Sequence, residues 1–371
     1  MDHQQHDHAA HSAHDANVMQ LLCDGTHAEG AHGSWKGHVY PGVIFILWGS
    51  WWAWNTVALY LGRSPSRPYR GRPWYSLPLR ALHYMEPVLK LLVPLVAMNM
   101  ELWLDHYGEW QSLYCAPGTK FAGRFDMSNL NNWQHALSYP GFMLSALVDI
   151  AGAFVPLPPG ASQAVLGSAF AATSFIMYTH EKHEPQDKAV HWLLSVAMML
   201  SAAGVFGEML ARRSVVVGMG KSLSVVLQGA WLVKIASIEF EGRTQWSTEY
   251  PGGAMFASTV FTFIAVLCIA ALFVFYLLLA VTQQLGWLRL EALLPPPEEC
   301  DEEEEEEEEQ QQAYRGLRRR KQLHHYDSAN HSDDNDAEVV PLASSKKGGA
   351  SLAAFQIQQS HPAAGDASWR V

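Results

Sequence analysis

Residues Gly160 to Leu210 read GASQAVLGSAFAATSFIMYT-HEKHEPQDKAVH-WLLSVAMMLSAAGVFGEML, two apolar stretches joined by a polar elbow. A helix needs about 20 apolar residues to cross a hydrocarbon core, and each stretch supplies them. The elbow, His180 to His191, brings three imidazoles (His180, His183, His191) to one face of a bilayer. Any chemistry the chain performs is expected near this polar turn.

Working outward, the same composition recurs in windows near 39–61, 79–104, 130–156, 160–180, 190–211, 214–238 and 254–288. Each has few charges and many Trp, Phe, Leu, Val and small residues. The mean hydropathy near zero and the net charge of −11 are averages over an apolar middle and two polar ends. Backbone polar groups in lipid must be satisfied within the segment, so the expected fold is all-α, a seven-helix transmembrane bundle with disordered N- and C-terminal tails. The organisation read from composition is a His-rich leader over 1–37, a membrane domain over 38–290 and a charged tail over 291–371.

No charged n-region with a short apolar core precedes a small-residue cleavage site, so the first helix is expected to serve as the insertion signal. Arg63, Arg67, Arg70 and Arg72 crowd the first loop and Arg212 and Arg213 fill a later one. The positive-inside bias therefore puts the N-terminus outside or in a lumen and the C-terminus in the cytosol. Cys23 and Cys115 then share the oxidising side and can either pair or stand as free thiols.

The leader holds His3, His6, His8, His11, His14, His27 and His32 and little to bury. Such a segment collects Zn²⁺ or Cu²⁺, or is simply a solvated low-complexity stretch. Trp48, Trp51, Trp52 and Trp54 form an interfacial belt or a packing face without need of a ligand. Glu86 lies close in sequence to Arg80, His83 and Lys90, which offer it structural partners. At about 1.5 Å rise per residue, His135 and Asp149 stand roughly 21 Å apart and belong to opposite leaflets. The tail follows Pro295-Pro296-Pro297 with an acidic run from Asp301 to Glu309 and a basic block at Arg318, Arg319, Arg320 and Lys321, the pattern of an interaction tail.

Threading the helices alternately across the bilayer sorts the polar residues into two layers. The outer one holds His38, Glu101, His106, His135, His180, His191, Gln228 and Glu239, a layer mixing imidazole and carboxylate, the ligand set that Zn²⁺ or Cu²⁺ accepts, with His38, His135, His180, His191 and Glu101 as the candidate ligands. The inner one holds Glu86, Asp149 and Glu208, acids placed to relay protons or bind cations. The bland alternative is that the histidines bond helix ends and the acids pair with Arg80, Lys90 or Lys221, because polar groups also serve as packing glue between membrane helices.

Lys36-Gly37-His38 with Pro41-Gly42, Gly49-x-Trp51-Trp52, Asn132-Trp133-Gln134-His135, Val148-Asp149, Tyr178-x-His180, His191-x-Leu193-Leu194 and Leu227-Gln228-Gly229-x-Trp231 together resemble the transmembrane protein 45 family, also called domain of unknown function 716. The resemblance spans about residues 34–288 and leaves both tails unmatched. It implies a seven-pass endomembrane or plasma-membrane protein of a family without an established activity. It also marks His38, His135, His180, His191, Glu86, Asp149 and Glu208 as family-like polar positions. Where relatives can carry a further His two positions before the one matched by His191, this chain has Ala189.

Four functions fit these residues. The leading one is binding of a zinc or copper ion by the outer histidines, with coupled movement of ions or protons. A haem-bearing redox protein resembling the cytochrome b561 type comes second, although His83 alone offers an inner imidazole. A zinc-dependent hydrolase lacks a Ser-His-Asp arrangement, so the reading leans away from an enzyme. A non-catalytic trafficking or scaffold protein acting through its tail is the fourth. The expected partners are the lipid bilayer, metal ions and proteins met by the tail; nucleic acid is not among them.

Overall fold

The computed structural model describes residues 19–29, 34–64, 68–77, 82–106, 108–180, 184–246 and 251–290. These all belong to one compact unit, Met1–Pro297. His183, Arg67, Arg80, the leader histidines other than His27, and the whole charged tail lie outside the described residues.

Among the described residues, eight helices carry the fold: α1 Trp35–Leu61, α2 Met85–Leu102, α3 Leu130–Ala136, α4 Pro140–Ala151, α5 Ala161–Thr179, α6 Pro185–Leu210, α7 Val215–Phe240 and α8 Gly252–Gln284. The window read as one helix over 130–156 is two. Pro140 has no N–H to donate to the carbonyl of Ala136, so α3 stops and α4 restarts with proline at its first position. The polar elbow is also shorter than its composition implied. Pro185 opens α6, so His191 sits inside a helix rather than on a loop. Among the described residues, four helices are long and apolar enough to cross a membrane, α1, α6, α7 and α8. The length and composition of the others do not reach that standard on their own.

Each helix buries a face against its neighbours: α2 on α4, α4 on α5, α5 on α6, α6 on α7, and α7 on α1. The α1–α7 contact is the closest, because glycines let the backbones meet. A Cβ on Gly229 would stand 2.5 Å from the carbonyl oxygen of Gly42, and one on Gly49 would stand 2.8 Å from the backbone nitrogen of Val226. Small residues at such crossings are what membrane helices use where burial from water offers no drive. At the other extreme, α8 is 33 residues long with only 11% of its apolar window buried, and Phe263, Phe273 and Leu278 are mostly exposed.

Part of the leader is ordered. Strands β1 Met19–Leu21 and β2 His27–Glu29 pair antiparallel around a turn in which Gly25 takes φ of 88°. The Asp24 carboxylate accepts from Thr26 N at 2.8 Å and Thr26 Oγ1 at 2.6 Å, which closes the turn. Cys23 is disulfide-bonded to Cys115, 92 residues away, so the hairpin is clamped to the connection between α2 and α3.

Candidate functional site

The outer histidines come from four elements: His38 from the first turn of α1, His135 from the last turn of α3, His180 as the residue that ends α5, and His191 from the second turn of α6. Their rings touch in sequence. His135 and His180 have ring centres 5.1 Å apart, His180 and His191 5.8 Å, and His191 and His38 5.7 Å. The arrangement is a row and not a closed cage. Among the described residues, three potential ligand atoms lie within 4.8 Å of one another at Cys23, Cys115 and Asp126, where the sulfurs are bonded to each other and are not thiolates.

The local chemistry of each ring follows from what faces its Nδ1. In His38 it meets the carbonyl oxygen of Ser34 at 3.0 Å, and in His180 it meets Gln134 Oε1 at 2.6 Å. In His191 it meets both the carbonyl of Asp187 at 2.9 Å and Asp187 Oδ1 at 2.6 Å. In His135 it faces Glu101 Oε2 at 3.5 Å. Each of these oxygens is an acceptor, so Nδ1 must carry the proton in a neutral ring, and Nε2 then carries a lone pair. His38, His180 and His191 are buried, while His135 and Glu101 at the end of the row are about one-fifth exposed.

The inner acids stand in three separate settings. Asp149 pairs with Lys90, which also donates to Ser145 Oγ at 3.0 Å. Glu208 Oε2 accepts from Lys221 Nζ at 2.6 Å, and Lys221 donates further to the carbonyl of Arg72 at 2.8 Å. Glu86 is held differently from the partners its sequence neighbours offered. Its Oε1 accepts from the indoles of Trp48 at 2.9 Å and Trp52 at 2.6 Å, and its Oε2 from the indole of Trp51 at 2.9 Å and from Tyr75 N at 2.8 Å. Four N–H groups on one carboxylate are a full shell of charge-stabilising bonds. Lys221 adds a cation 4.5 Å above the Trp52 ring. The inner layer is thus two ion pairs and an indole cage rather than a set of open acids.

Sequence reasoning placed the four histidines and Glu101 in one layer, and the structure brings them into one row. It missed Gln134 and Asp187 as the groups that orient two of the rings, and it missed the indole cage. The signal for the cage was present: Trp48, Trp51 and Trp52 follow the i, i+3, i+4 spacing that puts three side chains on one helix face.

Residues 159–277 carry α5, α6, α7 and most of α8, and with them His180, His191 and the Lys221–Glu208 pair. That stretch matches, over residues 159–277, the family model described as Family of unknown function (DUF716), the family that the chain's motifs resemble.

Proposed function

We propose that the protein is a seven-pass integral membrane protein whose histidine row binds a zinc or copper ion at the lumenal or extracellular face. The observation that carries this reading is the common orientation of the four rings. An imidazole that ligates a metal through Nε2 characteristically donates its other N–H to a carboxylate, a carbonyl or an equivalent acceptor. His38, His135, His180 and His191 all face such an oxygen through Nδ1.

Spacing decides how many rings one ion takes. Two imidazoles on a shared ion at about 2.0–2.1 Å per bond bring their ring centres to roughly 5 Å. Neighbours in the row stand at 5.1 to 5.8 Å, so small ring shifts seat an ion between any adjacent pair. Four ligands around one centre would require a cage. An ion therefore takes two imidazoles at a time, with Glu101 or water completing its shell at the exposed end. Haem fits less well, because rings already in contact leave no slot for a macrocycle between them.

The disulfide supports the orientation. Cys23–Cys115 belongs in an oxidising compartment, and Cys115 lies in the same connection that joins Glu101 to His135. The row therefore faces the lumen or the exterior, and the Arg-rich turns face the cytosol. A glycan on the Asn330-His331-Ser332 sequon would refute this topology, because a cytosolic tail meets no glycosyltransferase.

The test is metal content by mass spectrometry on full-length protein in which His3, His6, His8, His11, His14, His27 and His32 are replaced, so that the leader histidines contribute nothing. Bound zinc or copper near one per chain is expected, lost when His180→Ala and His191→Ala are combined, which breaks every adjacent pair of the row, and released on acidification as protons compete for Nε2. Equal metal content with and without His180 and His191 would overturn the proposal.

A further inference from the structure

The two ends of the histidine row offer a metal ion different surroundings. At one end the side chains of His135 and Glu101 are 23% and 22% exposed. At the other, His180, His191 and His38 are all buried. Phe240 packs on His38 with ring centres 5.3 Å apart. Met177 and Leu194 stand three positions from His180 and His191, one turn further into the bundle, and both are buried in an apolar cluster with Trp231 and Ile235. An ion at this end meets imidazole and hydrocarbon, with bulk water held off.

Ligand atoms there are few. Among the described residues, no third His, Cys, Asp or Glu ligand atom lies within 4.8 Å of the ligand atoms of a histidine pair. The Asp187 carboxylate meets His191 on its Nδ1 side, Oδ1 at 2.6 Å, and so stands behind the ring rather than beside Nε2. A pair of these rings is therefore a two-coordinate site. Zn²⁺ takes four ligands and keeps a water where the protein supplies three. Cu²⁺ prefers a tetragonal shell. Cu⁺, a closed-shell ion without that demand, is satisfied by two nitrogens in a line. Charge points the same way. The Born cost of taking an ion out of water grows as the square of its charge, so at equal radius a monovalent ion costs about a quarter as much to bury as a divalent one.

Ring spacing separates the two ends as well. With bonds near 2.0–2.1 Å, a tetrahedral angle puts two imidazole centres roughly 5 Å apart and a straight one puts them roughly 6 Å apart. His135 and His180, at 5.1 Å, match the first. His180–His191 at 5.8 Å and His191–His38 at 5.7 Å lie toward the second. The 80° between the planes of His191 and His38 is no obstacle, because rings turn freely about a straight N–Cu–N line.

We propose that the buried end of the row is a cuprous site, with a single Cu⁺ held between His191 and one of its two neighbours. This rests on the metal reading of the row and narrows it to a monovalent ion. His191 is the ring common to both wide pairs, and the Asp187 carboxylate on its Nδ1 fixes its orientation and strengthens Nε2 as a donor. The ion arrives and leaves as Cu⁺, so no electron is transferred.

The experiment uses full-length protein with the leader histidines replaced as above and with Cys268→Ser and Cys300→Ser, so that no free thiol competes. It is titrated anaerobically with Cu⁺ held by bicinchoninate, and X-ray absorption at the copper edge reads oxidation state, ligand number and ligand type. One Cu⁺ per chain with two nitrogen ligands is expected, and excess Zn²⁺ should not displace it. His191→Ala should abolish the site, and Asp187→Asn, which keeps the ring and alters only what stands behind it, should weaken Cu⁺ binding by about 10–100-fold. Copper with three or more ligands or with sulfur, Cu⁺ binding unchanged in both variants, or zinc held at the buried pair in place of Cu⁺ would each overturn the cuprous site and leave the metal reading standing. Absence of every metal would overturn both.

Discussion

Replacing Glu86 by Gln tests whether the indole cage is an electrostatic organiser or merely a packed aromatic cluster. The substitution preserves shape but exchanges one acceptor oxygen for an NH₂. If the remaining oxygen keeps Trp48 and Trp52, the NH₂ is set against the Trp51 indole and the Tyr75 amide, and two donors lose their acceptor. Each orphaned buried donor costs about 1–3 kcal/mol, so the variant should lose roughly 2–6 kcal/mol. For a domain of this size that is a fall of about 5–20 °C in midpoint. Thermal unfolding in detergent, followed by tryptophan fluorescence, reads both the midpoint and the environment of the three indoles. Adding Trp51→Phe removes one orphaned donor and should recover part of the loss. A Glu86→Gln protein that melts with wild type, or a double variant worse than the sum of the single ones, would show that the carboxylate is not what holds the tryptophans.

Lys221→Met leaves Glu208 buried without its cation and should cost about 3–5 kcal/mol, whereas Lys221→Met with Glu208→Leu should return close to wild-type stability; the same melts check both. Cys23→Ser with Cys115→Ser opens a 92-residue loop and should lower stability by about 2–5 kcal/mol, with a mobility shift on non-reducing gels in wild type alone. Gly229→Ala pushes a methyl against the Gly42 carbonyl and should cost about 1–3 kcal/mol, measurable as a lower midpoint with helix content retained.

The helical class, the apolar segments and the layer of histidines were legible because membrane burial imposes long apolar runs and leaves polar residues conspicuous at their ends. The break at Tyr139–Pro140 was legible in principle, since one proline stood in the middle of a 27-residue window. Other features depend on distance in space. Nothing near Glu86 in sequence indicates that its partners are indoles 34 to 38 positions earlier. Lys90 and Lys221 were recognised as cations for the inner acids, but which acid each takes is set by helix order around the bundle. The pairing of Cys23 with Cys115 likewise needed the hairpin, which is too short and too polar to be seen by periodicity.

The glycine contact between α1 and α7 also has a consequence for synthesis. Gly42 and Gly229 are 187 residues apart, so at about 5–20 residues per second the ribosome takes roughly 10–40 s to deliver the partner of the first helix. During that interval α1 is in the membrane with its narrow glycine face unmatched. The face of α1 that α7 covers therefore waits until the intervening helices have been made. Assembly of the bundle is therefore closed by a late element reaching back to the earliest one.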